Sequence, residues 1–112
     1  MNKLDQDRRT APRRVLRTRA SLASKDGLRL DVRTLDLSSA GMGILSDGPL
    51  VPGSIFVLRC LVPSGGARKE LVVSARVIHS VFSGAEGGFI VGLAFVEPSV
   101  EVAQLVASVL RC

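Results

Sequence analysis

The 112-residue chain has no tryptophan or tyrosine, only four phenylalanines, two cysteines and a single histidine. Each shortage excludes something. A core with so few rings must be built from Val, Leu, Ile and Ala. There is also no aromatic platform of the kind on which single-stranded nucleic acids stack their bases. Cys60 lies inside an apolar run and Cys112 is the last residue, so the pair is no disulfide framework and suits a reducing cytosol. His79 with those two cysteines offers too few ligands, at the wrong separations, for a zinc site. No apolar run approaches the ~18–20 residues that cross a bilayer. The N-terminus is polar and charged, with no apolar signal segment behind it. The expectation is a soluble, cytoplasmic protein.

Catalytic signatures are missing as well. There is no Gly-x-Ser-x-Gly elbow and no Gly-Lys-Ser/Thr phosphate loop. Gly41-Met42-Gly43 lacks the third glycine of a dinucleotide fingerprint and precedes a strand rather than a helix. His79, at the end of an apolar strand, reads as structural or simply exposed. The chain is expected to be a non-enzyme with no cofactor and no metal.

What is present is an uneven charge. The chain carries 15 basic and 10 acidic groups, a net +5. Residues 1–19 hold seven of the basic groups (Lys3, Arg8, Arg9, Arg13, Arg14, Arg17, Arg19) against Asp5 and Asp7. That is 7 − 2 = +5, and the remaining eight basic and eight acidic residues cancel. A cationic segment on a neutral body points to a polyanionic partner such as a nucleotide, a nucleic acid or an anionic lipid. The hydrophobic fraction of 46% is enough for the core of one domain.

Hydropathy then alternates with a period of two, the mark of half-buried strands. Leu16, Thr18, Ala20 and Leu22 alternate with Arg17, Arg19 and Ser21. Lys25-Asp26-Gly27 supplies a hairpin turn, and Leu28 to Thr34 alternates again. Short strands follow at Met42–Leu45, Ile55–Val62, Leu71–Ile78 and Phe89–Val96, with residues 83–88 as a loop. After Pro98, Val102, Leu105, Val106, Val109 and Leu110 fall on one helical face, with Ser99 as N-cap and Glu101 in the first turn. That stripe is expected to pack on the barrel rather than serve a partner. The predicted fold is mainly β: a six- to seven-stranded antiparallel barrel closed by one C-terminal α-helix over about 99–111.

Two segments carry chemistry. The first is Asp7-Arg8-Arg9-Thr10-Ala11-Pro12-Arg13-Arg14. Guanidinium groups make bidentate contacts to phosphate oxygens and to the O6/N7 edge of guanine, and they stack on bases. Pro12 disfavours helix at Ala11, which leaves the arginines on an extended or turning backbone. A solvated basic tail has the same composition. The second is Asp36-Leu37-Ser38-Ser39-Ala40-Gly41-Met42-Gly43. A carboxylate accepts the N1–H and N2–H₂ edge of guanine, Ser38 is a small donor and acceptor, and Gly41 permits a positive φ or close approach of a ligand. A strand-ending turn capped by Asp and Ser looks the same.

Taken together, Arg9-x-x-x-Arg13 followed by Asp36-x-Ser38-x-x-Gly41 resembles the paired signature of the PilZ domain family. Ala75-Arg76-Val77-Ile78-His79 and Gly92-Leu93-Ala94-Phe95 are similar to that family's later barrel strands. The resemblance covers roughly residues 6–111 and implies an arm over 1–7 followed by one domain over 8–112. It implies a receptor for cyclic di-GMP that changes conformation on binding. Arg9 and Arg13 would grip guanines and phosphates, and Asp36, Ser38 and Gly41 would form the turn that reads a guanine edge. Arg8 sits where relatives that take an intercalated pair of ligands have an arginine, and Arg14 is a further phosphate or stacking candidate. The implied role is an adaptor acting on an unidentified downstream protein in motility, biofilm, exopolysaccharide or virulence control. The rivals are a small basic barrel that binds nucleic acid, which leaves Asp36 without a purpose, and a protein-interaction module without a ligand.

Overall fold

Alternating hydropathy folds most of this chain into strands. The computed structural model describes residues 12–111. It contains β1 (Arg13–Val15), β2 (Arg19–Ala23), β3 (Arg29–Ser38), β4 (Gly41–Ser46), β5 (Ile55–Ser64), β6 (Ala67–Ser83) and β7 (Gly88–Phe95), followed by one helix, α1 (Val100–Arg111). All pairings are antiparallel. The sheet runs β1-β3-β2-β5-β6-β7-β4, and a further β3–β4 pairing closes it into a ring. Closure leaves few strand edges open, and it sends alternate side chains into a common interior. On β5, for example, Phe56, Leu58, Cys60 and Val62 are buried while Ile55, Val57, Arg59 and Leu61 are exposed. Leu22, Leu37, Ile44, Leu58, Leu71 and Val91 fill the centre. Burial also pushes the Cys60 thiol up to about 11, so it stays protonated and inert at neutral pH.

The helix closes the barrel through its apolar stripe. Ser99 Oγ accepts the Val102 N–H at 3.2 Å, and Glu101 and Arg111 complement the dipole at the two ends. Val106 and Val109 are buried, and Val102, Leu105 and Leu110 pack partly buried against the core. The elements beneath are β3, β5 and β6, and the Ser64 and Ser108 hydroxyls meet at 2.8 Å. Among the described residues, no helix is long and apolar enough to cross a membrane.

Several boundaries differ from the sequence expectation. The arginine segment was expected on an extended or turning backbone with no strand assigned to it, and Arg13–Val15 is a strand. The strand expected from Val15 onward is interrupted at 16–18, so β1 and β2 share one edge of β3 in succession. β3 runs on through the Asp36 motif to Ser38, four residues past the expected Thr34, because β1 and β4 flank it there. β6 reaches from Ala67 to Ser83, and only 84–87 remains as the turn.

Thr34 makes the break between β1 and β2 tolerable. Its hydroxyl accepts the Thr18 N–H at 3.0 Å and donates to the Leu16 carbonyl oxygen, with the residue 1% exposed. Thr34→Val keeps the shape but leaves one buried and one part-buried backbone group unsatisfied. It is expected to lower stability in urea by about 2 kcal/mol with an unchanged m-value, because each orphaned buried group costs on the order of 1–3 kcal/mol.

Candidate functional site

The outer face of the barrel has one row of residues in direct register across four strands. Asp36 on β3 faces Gly43 on β4, Gly43 faces Gly92 on β7, and Gly92 faces His79 on β6. The two glycines in the middle carry no side chains, and the Asp36 carboxylate and the His79 ring lean in over them from either end. The resulting pocket has a volume of about 280 Å³ and is mostly apolar, lined by Ile78, Ile90 and Ala94 as well as by the row itself.

Each of these two walls is held by the local backbone. Asp36 Oδ1 accepts the Gly43 N–H at 3.0 Å and lies 3.0 Å from an Arg13 guanidinium nitrogen. Arg13 arrives there because β1 pairs antiparallel along the far end of β3, with Arg13 opposite Ser38 and Val15 opposite Asp36. The side chains of this ion pair are 43% and 32% exposed, so the bond contributes only about 0–1 kcal/mol. It is a contact that an anion or a hydrogen-bond donor from solution can exchange with. On the opposite wall, β6 bulges between Val77 and His79. That extra residue puts Ile78 and His79 side by side at the pocket, and the imidazole fills the space that a side chain at Gly92 would occupy.

The turn between β3 and β4 is a tight two-residue link, Ser39-Ala40. Ser38 Oγ accepts the N–H groups of Ala40 and Gly41 at 3.3 and 3.2 Å, and donates to the Gly41 carbonyl at 3.3 Å. With Ser38 only 5% exposed, its hydrogen-bonding capacity serves the turn rather than the solvent. Gly41 has no positive φ, contrary to one of the two reasons given for it above. It is required by close approach, but of β7: a Cβ there would overlap the Leu93 carbonyl oxygen.

The structure therefore brings Arg13, Asp36, Ser38 and Gly41 to one pocket. It does not bring Arg14 there. Successive strand residues point to opposite faces, and Arg14 donates instead to the Val109 carbonyl of α1 at 2.6 Å. Arg8 and Arg9 lie outside the described residues. His79, Gly43 and Gly92 were missed as site residues. The Gly-x-Gly of β4 and the mid-strand glycine of β7 are visible in the sequence, but only the register shows that Gly43 and Gly92 are neighbours. Among the described residues, no cluster of three or more His, Cys, Asp or Glu side chains is placed to hold a metal.

This geometry can be set beside known proteins. A family model for the PilZ domain matches residues 7–111, so the chain belongs to the PilZ domain family, a family of binding rather than catalytic domains. No curated protein matches it. Several solved structures share its fold. The Bacillus subtilis inhibitor of motility MotI/DgrA superposes with a TM-score of 0.76 at 13% identity, over 91% of this chain and 49% of that one. The PilZ domain of Escherichia coli YcgR with c-di-GMP gives 0.70 at 20% identity, over 93% of this chain and 89% of that one. The PilZ domain of CeSA from a cellulose-synthesizing bacterium gives 0.59 at 19% identity, over 85% and 90%. The chain thus spans about half the length of the motility inhibitor.

The two glycines of β4 separate fold from site. At Gly41 an added Cβ meets immovable backbone, whereas at Gly43 it comes 2.7 Å from Asp36 Oδ1, the end of a side chain that can turn away. Gly41→Ala is expected to cost more than about 2 kcal/mol in urea unfolding, and Gly43→Ala less than about 1 kcal/mol, the usual span between strained and surface substitutions. Equal losses would show that the two glycines are not placed as described.

Proposed function

We propose that this chain is a receptor for cyclic di-GMP and that the Arg13–Asp36 wall of the pocket is where the ligand is read. The observation that carries this reading is the meeting of a guanidinium and a carboxylate, distant in sequence, at 3.0 Å on the rim of an apolar pocket. The family membership and the c-di-GMP complex of YcgR support it.

The chemistry follows from the groups present. The Asp36 carboxylate has the geometry to accept both N–H donors on the Watson–Crick edge of guanine. Arg13, released from Asp36, takes a phosphate oxygen or the O6/N7 edge. Because the ion pair it leaves is weak, the exchange costs little. The missing side chains at Gly43 and Gly92 leave room for the Asp36 carboxylate and the His79 ring to sit at the pocket, and the His79 ring, Ile78 and Ile90 supply the apolar and stacking surface. A pocket of about 280 Å³ suits one purine nucleoside rather than the whole dinucleotide. The phosphates and second guanine then lie over the rim, where Arg8 and Arg9 complete the cationic set. Arg8 also accounts for an intercalated ligand pair. Ser38 and Gly41 act by shaping the β3–β4 turn, and Arg14 does not belong to the first set of contacts.

The chain works as a receptor without catalysis, in the cytoplasm, where the nucleotide second messenger is found. Its output is a conformational change passed to a partner protein, and the motility inhibitor and the cellulose-associated neighbour support motility or exopolysaccharide as the regulated process.

Calorimetric titration with cyclic di-GMP tests the reading. The wild type should give saturable heat that weakens as salt is added. Arg13→Ala and Asp36→Ala should each weaken binding at least about tenfold, a loss of roughly 1.4 kcal/mol, with far-ultraviolet CD unchanged. His79→Ala should weaken it less and His79→Phe should restore the stacking share. No heat with the wild type, or full-strength binding by both wall variants, overturns the assignment.

A further inference from the structure

β1 is only three residues long and is held by one neighbour, β3. A strand that short needs another anchor if Arg13 is to stand in a fixed place. The anchor is its neighbour in sequence. Arg14 is half-buried, and its guanidinium donates to the Val109 carbonyl at 2.6 Å across 95 residues of chain. Val109 is two residues from the end of α1 and its side chain is 0% exposed. The carbonyls of a helix's last turn lack intrahelical donors, and a cation there complements the dipole. An apolar residue would suffice to pack β1 against the helix. A guanidinium on that carbonyl does something more specific, because it joins the two elements at one point by a short, charge-assisted bond.

The alternation of the strand divides the arginine pair. Arg13 reaches the pocket wall at Asp36, and Arg14 reaches the helix that caps the other side of β3. We infer that Arg14 is a positioning residue of the site, tying β1 to the last turn of α1 so that the placement of Arg13 and the docking of the helix are one event. The inference rests on the receptor reading above for its ligand, and it names how that site is regulated. Coupling of this kind is reciprocal. Whatever fixes Arg13 in the pocket also holds the helix down, and a partner that draws the helix away loosens the site. The Ser108 hydroxyl, one residue before Val109, also meets the Ser64 hydroxyl of β5 at 2.8 Å. The end of α1 is therefore where the strain of a change at β1 is felt.

Amide hydrogen exchange on the whole chain, with and without cyclic di-GMP, tests this in wild type, Arg14→Met and Arg14→Lys. Without ligand, Arg14→Met should speed exchange several-fold at Val15 and in the last turn of α1 together. Acceleration in the helix alone would make Arg14 an ordinary helix cap and overturn the inference, whatever the protein binds. With ligand, the wild type should gain protection at Val109 and Leu110. Arg14→Met should lose that gain and bind about 5- to 20-fold more weakly, within the usual range of coupling. Arg14→Lys, with one cationic donor for the same carbonyl, should recover part of both. Equal affinity in all three proteins also overturns the proposal. Absence of binding by the wild type sinks the receptor reading, and the ligand-free exchange still decides whether the tie exists.

Discussion

The placement of β1 along the far end of β3 is the constraint on which the site depends. β3 is ten residues long and is shared in turn by β2 and then β1 on one edge, with β4 on the other. This puts the guanidinium of Arg13 beside the carboxylate of Asp36, and Asp36 beside the bare backbone of Gly43. The Thr34 hydroxyl permits the break between β1 and β2 by bonding both sides of it. Without that splice the cationic segment would leave the barrel at Arg19, and the pocket would have one charged wall fewer.

The Arg13–Asp36 wall is poised rather than locked. A partly exposed ion pair is weak, and the hydrogen bond from Gly43 holds the carboxylate in place when Arg13 leaves it. The fold supplies rigidity where a ligand needs a surface, in the glycine pair and the bulge that presents His79. It supplies exchangeability at the partly exposed ion pair, where the proposed ligand would displace Arg13 from Asp36. Because Arg14 faces the helix, the same three-residue strand that completes the pocket also touches the element that closes the barrel.

Much of this was legible beforehand, and the exceptions share a cause. Period-two alternation located the first hairpin, an apolar run between Pro/Gly turns located β5, and the 3.6-residue stripe with Ser99 located α1, because those signals are local. The chemistry of Asp36 and Arg13 was legible as residue types at a spacing. Arg14 was grouped with its arginine neighbours because composition cannot see which face of a strand a residue takes. Gly41 was credited with backbone freedom, when its reason is a carbonyl on a strand fifty residues away in sequence (roughly, by the 3.6 Å reach of each residue, far beyond local contact). His79 was taken as the end of a strand, because the bulge that turns it to the pocket depends on pairing with β7. Local patterns were readable, and facts set by register were not.

The most direct measurement is a titration of isotope-labelled protein with cyclic di-GMP, followed amide by amide. The account predicts that the Gly43 and Gly92 signals, on adjacent strands of one face, move first and furthest, while those of Val57 and Leu61 on the outer face of β5 stay in place. Shifts centred on β5, or none at the two glycines under saturating ligand, would contradict it.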